Sequence, residues 1–298
     1  MHSKIELQIY SLKLKKSTII FVINPVAGNK KKIDKKKIVD TFAEREVVFI
    51  EDLKERELKI NEYIKNGIRD FVAVGGDGTV NDVASILVNT PARLGIIPAG
   101  SGNGLARDLG LSMIFEDALD IIKVGHERKI DVGLVNAKPF FCTAGIGFDA
   151  VCAYDFATKK HSRGLWNYVK IILTNYFSYK SVRLKLNGSE KEVFSMTFAN
   201  ARQFGNNAFI APQAKPDDGF IDCAMIQPHS GFFAFSIALS LMRGSLDKSR
   251  YYKTERLKGY TLSAISDRRI HLDGESVVLQ EDKINVSILE GALNVIVS

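Results

Sequence analysis

Four short apolar runs, each passing into a polar loop and then into apolar residues at helical spacing, govern the first third of the chain. Ile19 to Ile23 leads into Asn24-Pro25-Val26-Ala27-Gly28 and a helical pattern through Ile33, Ile38, Val39 and Phe42. Val47 to Ile50 precedes a second helical stretch around Leu58 to Ile64. Phe71 to Val74 stops at Gly75-Gly76-Asp77-Gly78, and Leu94 to Ile97 enters Pro98-Ala99-Gly100-Ser101-Gly102-Asn103-Gly104 and a further helix. Unbroken apolar runs alternating with helices predict a parallel sheet covered on both faces. Ligands on such sheets gather beyond the carboxyl ends of the strands. Three of the four strands end in loops rich in Gly, Asn and Ser, so three polar loops are expected on one rim.

The sharpest of these loops lies in Val74 to Asp82, VGGDGTVND. An apolar-periodic stretch opens at Thr79 and continues through Val83, Ala84, Ile86, Leu87 and Val88, which reads as strand, glycine turn, helix. Such a junction aims main-chain N–H groups and the positive end of a helix dipole at one point, and glycines let an anion approach closely. Asp77 in mid-turn would repel a bare phosphate unless a cation or a transferable proton lay between them. Metal-assisted or base-assisted phosphoryl chemistry is therefore indicated over passive anion binding. A plain tight turn is the alternative.

After about Lys129 the rhythm changes to strands and turns. Strands are expected at Ile130 to Val135, Phe140 to Ala144, Val182 to Leu186, Val193 to Phe198, Ile221 to Ile226, Tyr260 to Ala264, Arg269 to Leu272, Ile284 to Ile288 and Leu293 to Val297. Asn187-Gly188 signals a hairpin. This half should be a mostly antiparallel sandwich or barrel, with helices near Gly164 to Phe177 and Gly231 to Met242. The expected division is residues 1–130 as an α/β domain and 131–298 as a β-rich domain, with the last strand packing back on the first. Residues 1 to 17 alternate weakly and suggest no task.

With 298 residues and a formal charge of +7, the chain is long enough for two domains and is mildly basic. Lys30, Lys31, Lys32, Lys35, Lys36 and Lys37 form a solvated helix face or a surface attracted to anionic membrane. Nucleic acid fits less well, because no aromatics are interleaved with these lysines. Cys142, Cys152 and Cys223 show no CxxC spacing, which points to a reducing compartment, and the scattered histidines suggest no zinc site. Gly231 to Met242 is the most apolar segment and is far short of the ~20 residues needed to cross a bilayer. A packed helix is its expected role, with interfacial contact as the alternative. No signal-peptide core is seen at the N-terminus, so the expected location is cytoplasmic, peripheral at a membrane surface.

Asn24-Pro25-x-x-Gly28, GGDGTVND at 75–82, PAGSGNGLA at 98–106, GIGFDA at 145–150, DDGFID at 217–222 and LDGE at 272–275 together resemble the diacylglycerol kinase catalytic-domain family, which includes bacterial soluble lipid kinases, sphingosine kinases and ceramide kinases. The matches keep the family's order over nearly the whole chain. NAD kinase and phosphofructokinase relatives share GGDG but would not be expected to carry PAGSGN followed by LDGE. PAGSGN is nearer the sphingosine-kinase form than the PxGTxND form of bacterial diacylglycerol kinases, which leaves the acceptor lipid open. The resemblance implies an ATP- and Mg²⁺-dependent lipid kinase with an NAD kinase-like first domain and nucleotide in the cleft between the domains. A homodimer stays open as its assembly.

Carried over residue by residue, Asn24, Pro25 and Gly28 would serve the first nucleotide loop. Gly75, Gly76, Asp77, Gly78, Thr79 and Asn81 would serve the phosphate loop, with Gly100 and Ser101 beside the nucleotide. A threonine-rich loop that the family uses for ATP reads Glu51-Asp52-Leu53 here, a departure. Asp273 and Glu275 would supply the acceptor of the lipid hydroxyl proton, and Asp77 competes for that role. On a strand, Asp-Gly-Glu puts both carboxylates on one face; an exposed hairpin turn is the alternative. Asp218, with the carbonyls of Lys215 and Phe220, would hold a structural Mg²⁺, unless the segment is only a turn capped by aspartate. Asp149 would lie near the lipid head group, and Arg163 would help hold phosphate or the lipid entrance. GIGFDA also fits GxGxxA, but the acidic residue that a dinucleotide site requires about twenty positions on is missing.

Overall fold

The structure, a computed structural model, describes residues 18–24, 33–52, 54–158 and 165–298. The expectations placed on residues 1–17, Pro25, Gly28, Lys30 to Lys32, Leu53 and Arg163 lie outside the described residues, as do the side chains of 165–169. The chain divides into two compact units. One comprises Met1–Gly100, Leu109–Lys129 and Ala292–Ser298; the other comprises Ser101–Asp108 and Ile130–Gly291.

In the first unit, strands β1 (Ile19–Ile23), β2 (Val47–Ile50), β3 (Asp70–Gly75) and β4 (Arg93–Pro98) lie side by side, all parallel, in the order β2-β1-β3-β4. Beyond β4 the sheet takes one more parallel segment, where Asn294 pairs with Arg93 and Val295 with Leu94. Every residue of β1 and β3 is buried, as a sheet covered on both faces requires. Ile19, Phe21 and Ile23 pack with Ile38 and Phe42 at helix α1 (Lys35–Thr41) and with the helix Phe115–Val124. α2 (Arg56–Lys65) and α3 (Asp77–Leu87) pack together, and α3 lies on β3 and β1. The helix Phe115–Val124 was not anticipated from the sequence. It ends at Gly125 with φ 75°, where the left-handed backbone favours glycine.

The second unit is a β-sandwich, as the alternating pattern predicts. One layer is β12-β11-β10-β7-β14-β15, with β7 (Thr143–Gly147), β10 (Ser195–Ala199), β11 (Ile221–Ile226), β12 (Tyr252–Leu257), β14 (Arg269–Leu272) and β15 (Glu275–Val278), antiparallel throughout. The other contains β8 (Val182–Leu186), β9 (Ser189–Val193), β13 (Gly259–Ser263) and the first half of β16 (Lys283–Val297). Leu184, Leu262 and Ile284 from this layer meet Ile146, Phe198 and Ile270 from the first in one core. β8 reads buried, exposed, buried, exposed, buried, and its hairpin to β9 turns at Asn187 and Gly188, with φ 48° and 84°.

Several expectations need correction. Phe140 to Ala144 is not one strand: β6 (Lys138–Phe140) pairs with β5 (His126–Val135), and β7 starts only at Thr143. The expected pair Ile284 to Ile288 and Leu293 to Val297 is the single strand β16. Asp273-Gly274 is no strand. Both residues have positive φ, 49° and 85°, and Leu272 pairs directly with Glu275, so the segment is a two-residue hairpin turn joining β14 to β15. The two carboxylates do not share a strand face. Finally, α4 (Gly104–Asp108), α5 (Phe115–Val124), α6 (Phe148–Thr158), α7 (Leu165–Tyr176) and α8 (Ala234–Met242) complete the helices described. α6 takes up the Asp149 motif and packs on β7, β14 and β15.

Candidate functional site

In the first unit, three loops start side by side because β1, β3 and β4 are adjacent and parallel. The Asn24 N–H donates to the Val74 carbonyl (3.3 Å), and the Ala99 N–H donates to the Gly75 carbonyl (2.8 Å). Gly76 caps α3 in extended conformation, and Asp77 occupies the first helical turn. The glycines are demanded by close packing. A Cβ on Gly75 would stand 2.4 Å from Thr79 Oγ1, and one on Gly76 would stand 3.1 Å from Gly100 Cα. Thr79 is buried, with its side chain packed under Gly75. Asp77, Gly78 and Asn81 are partly exposed around it. Farther along α3, Asp82 pairs with Arg56 at 2.6 Å; burial pushes its carboxyl up, with the guanidinium opposing. A glycine turn at the positive end of an eleven-residue helix is an arrangement that can accept an anion such as a phosphate group. Ser101 belongs to the second unit and is exposed.

In the second unit the motifs at 145–150 and 271–275 lock together. Asp149 Oδ2 accepts from the Thr197 hydroxyl at 2.9 Å and lies 3.1 Å from Nε2 of the buried His271. Gly145 is required here, since a Cβ would sit 2.5 Å from Asp149 Oδ2 and 2.6 Å from His271 Nε2. Burial pushes the Tyr179 hydroxyl up, with the nearby Asp149 charge adding to it. Asp273 is engaged by the main chain: Oδ2 accepts from Phe141 N–H (2.7 Å), and Oδ1 accepts from Cys142 (2.7 Å) and Thr143 (2.8 Å). Glu275, just beyond the turn, is exposed.

The 215–220 loop is held from inside the sandwich. Buried Asp131 accepts from Gly219 N–H at Oδ2 and from Gly291 N–H at Oδ1, both at 2.7 Å, while its own N–H donates to the Pro216 carbonyl. Asn200, fully buried, donates to the carbonyls of Asp131 and Phe141. Asp218 Oδ1 accepts from Phe220 N–H at 3.1 Å, the aspartate-capped turn of the alternative reading. Its other oxygen is ion-paired with Arg256, whose Nε lies 3.8 Å from Asp222 Oδ2 and whose guanidinium stands 5.1 Å from the Phe220 ring. A divalent ion on Lys215, Asp218 and Phe220 would have to share that oxygen with a guanidinium. Arg256 is the cation set between the Asp218 and Asp222 carboxylates, whose Oδ2 atoms are buried with no hydrogen-bond partner.

His271, Thr197, Asp131, Asn200 and Arg256 escaped the sequence reading. A lone aspartate between Ile130 and Val132, inside an apolar run, was the available signal for Asp131, because a buried carboxylate must be paired.

A family profile described as the diacylglycerol kinase catalytic domain matches residues 18–135, and one described as the YegS C-terminal NAD kinase beta sandwich-like domain matches residues 142–297. A Pseudomonas syringae pv. syringae protein named "Probable lipid kinase YegS-like" is 30% identical over 243 residues, covering 79% of this chain and 78% of its own. A Mycobacterium tuberculosis protein named diacylglycerol kinase is 30% identical over 206 residues, covering 65% and 67%. In fold, a crystal structure of a diacylglycerol kinase from Bacillus anthracis str. Sterne superposes with a TM-score of 0.68 at 17% identity, over 96% of this chain and 98% of that one. Two profiles that meet near residue 140 and relatives alike across both units establish that the chain belongs to the diacylglycerol kinase catalytic-domain family, with a YegS-type β-sandwich as its second half.

Proposed function

We propose that the chain is an ATP-dependent kinase that phosphorylates a primary hydroxyl of diacylglycerol, a sphingoid base or a related lipid. The observation that carries this reading is a pair of features: a glycine cradle with an aspartate in its first helical turn, and an exposed glutamate held on a pinned hairpin. The Gly75–Gly78 amides hold the terminal phosphates of the nucleotide, and Gly100 closes against Gly76. Mg²⁺ bound with ATP beside Asp77 would supply neutralisation of the phosphate charge. The lipid hydroxyl attacks the γ phosphorus in line, ADP leaves, and Glu275 accepts the hydroxyl proton. Asp273 holds the hairpin still, Asp149 faces the polar head of the lipid through a carboxylate oriented by Thr197 and His271, and Asp77 positions the nucleotide's cation.

The test is incubation with radiolabelled ATP, Mg²⁺ and a panel of diacylglycerol, monoacylglycerol, sphingoid bases, ceramide and NAD. A labelled phospholipid is expected, and Asp77→Asn should lower its formation by at least about a hundredfold. Label found in NADP alone would overturn the lipid reading.

A further inference from the structure

The most apolar stretch of the chain folds as a single 3₁₀ turn, Gly231–Phe233, running into α8, and none of its residues is buried. The expectation of a packed helix holds for one face only. Ile237 and Leu241 turn inward against the cluster containing Ile210, Ala211 and Leu246. Phe232, Phe235, Leu239 and Met242, at steps of three, four and three residues, form a second apolar stripe that is 88, 78, 36 and 53% exposed. Leu173 and Phe177, one helical turn apart at the end of α7, are also exposed. Tyr176 joins the two elements: its ring is 5.6 Å from Phe177 and 6.0 Å from His229, and a Cβ on Gly231 would meet it at 3.7 Å. Surfaces that stay in water scatter such residues singly; a contiguous group marks an interaction face.

The charges around this face identify its occupant. From Gly231 to Lys253 the ionised side chains are Arg243, Lys248, Arg250 and Lys253 against the single carboxylate of Asp247, and α7 adds Lys170. Arg250 spreads its guanidinium over Phe233 and Tyr251, 4.7 and 4.8 Å from the ring centres. Exposed aromatic and aliphatic side chains in a segment of net positive charge, with Arg250 stacked at its aromatic end, match the boundary of an anionic bilayer, where rings enter the acyl edge and cations meet lipid phosphates. A second copy docking here through the same face would bring its own cations against these.

We propose that the face formed by the 3₁₀ turn, α8 and the end of α7 inserts shallowly into anionic membrane and docks the protein there. Its purpose rests on the lipid-kinase reading; its test does not. Purified full-length chain is floated with vesicles of phosphatidylcholine alone or mixed with phosphatidylglycerol. The variant F232S/F235S is compared, since both rings are exposed and their loss leaves the core intact. Wild type is expected to float with the phosphatidylglycerol vesicles, and the variant's partition coefficient should fall about tenfold or more. The two proteins should show the same melting temperature and the same activity on detergent-dispersed lipid. Equal flotation of both proteins, equal binding to neutral vesicles, or a wild-type dimer that the variant dissolves would each overturn the docking face. Phenylalanine-dependent flotation without phosphorylation of any lipid in the panel would sink the kinase reading and keep this one.

Discussion

Asp273 and Thr143 hold each other twice: the Asp273 N–H donates to the Thr143 carbonyl at 2.7 Å, and the Thr143 N–H donates to Asp273 Oδ1 at 2.8 Å. This ring pins the β14–β15 turn to the start of β7 and leaves Glu275 as the carboxylate that faces solvent. Asp273→Asn exchanges one acceptor oxygen for a donor facing main-chain N–H groups, and should destabilise the protein by about 2–4 kcal/mol in urea unfolding. Glu275→Gln should leave unfolding unchanged and lower kcat by at least about a hundredfold. Full activity in Glu275→Gln would reassign the base.

Gly76 has φ −91° and ψ −171°, which alanine tolerates, so the effect of substitution there is purely steric. The added methyl meets Gly100 Cα at 3.1 Å and forces the two loops apart. Gly76→Ala should cut kcat/KM for ATP roughly 10- to 100-fold while the KM for lipid stays within about twofold. A change confined to the lipid term would place this turn elsewhere in the chemistry.

Burial pushes the Asp222 carboxyl up to about 6, against 3.8 for an ordinary aspartate. The folded state therefore holds this proton more tightly than the unfolded chain. The contribution to stability is fully present below about pH 4 and is lost as pH rises through 6. Asp222→Asn should stabilise the protein at pH 8 by about 1–2 kcal/mol, allowing for solvent screening near half-exposed Arg256. The gap to wild type should close below pH 4. A constant gap across that range would disprove the assignment.

Arg256 stands between Asp218 and Asp222. Arg256→Ala leaves two neighbouring carboxylates without their cation and should cost about 1–3 kcal/mol at neutral pH. Without nucleotide, millimolar Mg²⁺ should raise the melting temperature of the variant and leave that of the wild type unmoved. A wild-type protein that loses stability on chelation would restore the divalent-ion reading of this loop.

The strands of the parallel sheet were legible because they are unbroken apolar runs, fully buried at Ile19–Ile23 and half-buried at the edge strand Val47–Ile50, and both come out with the expected ends. Tyr252–Leu257 carried no such signal. It is an edge strand with Lys253, Glu255 and Arg256 along it, where solvation replaces alternation. The glycine turn at 75–78 was legible too, since the close packing of Gly75 on Thr79 and of Gly76 on Gly100 leaves few other residues possible. The partners of Asp149 stayed hidden. Thr197 and His271 lie 48 and 122 residues away, and nothing local marks a hydrogen bond across two strands. That Asp273 is engaged by the main chain while Glu275 is exposed was equally invisible, because it depends on positive φ at the turn.

The end of strand β16 from Ala292, together with Ser298, belongs to the unit that opens the chain. There Asn294 Nδ2 donates to the Thr90 and Ala92 carbonyls, and the Asn89 N–H donates to the Ala292 carbonyl. On the ribosome, β4 thus waits as a raw sheet margin through nearly two hundred further additions before its neighbour is made. The nascent α/β portion lacks that neighbour for the whole interval, and removing those seven residues would leave β4 as an open edge.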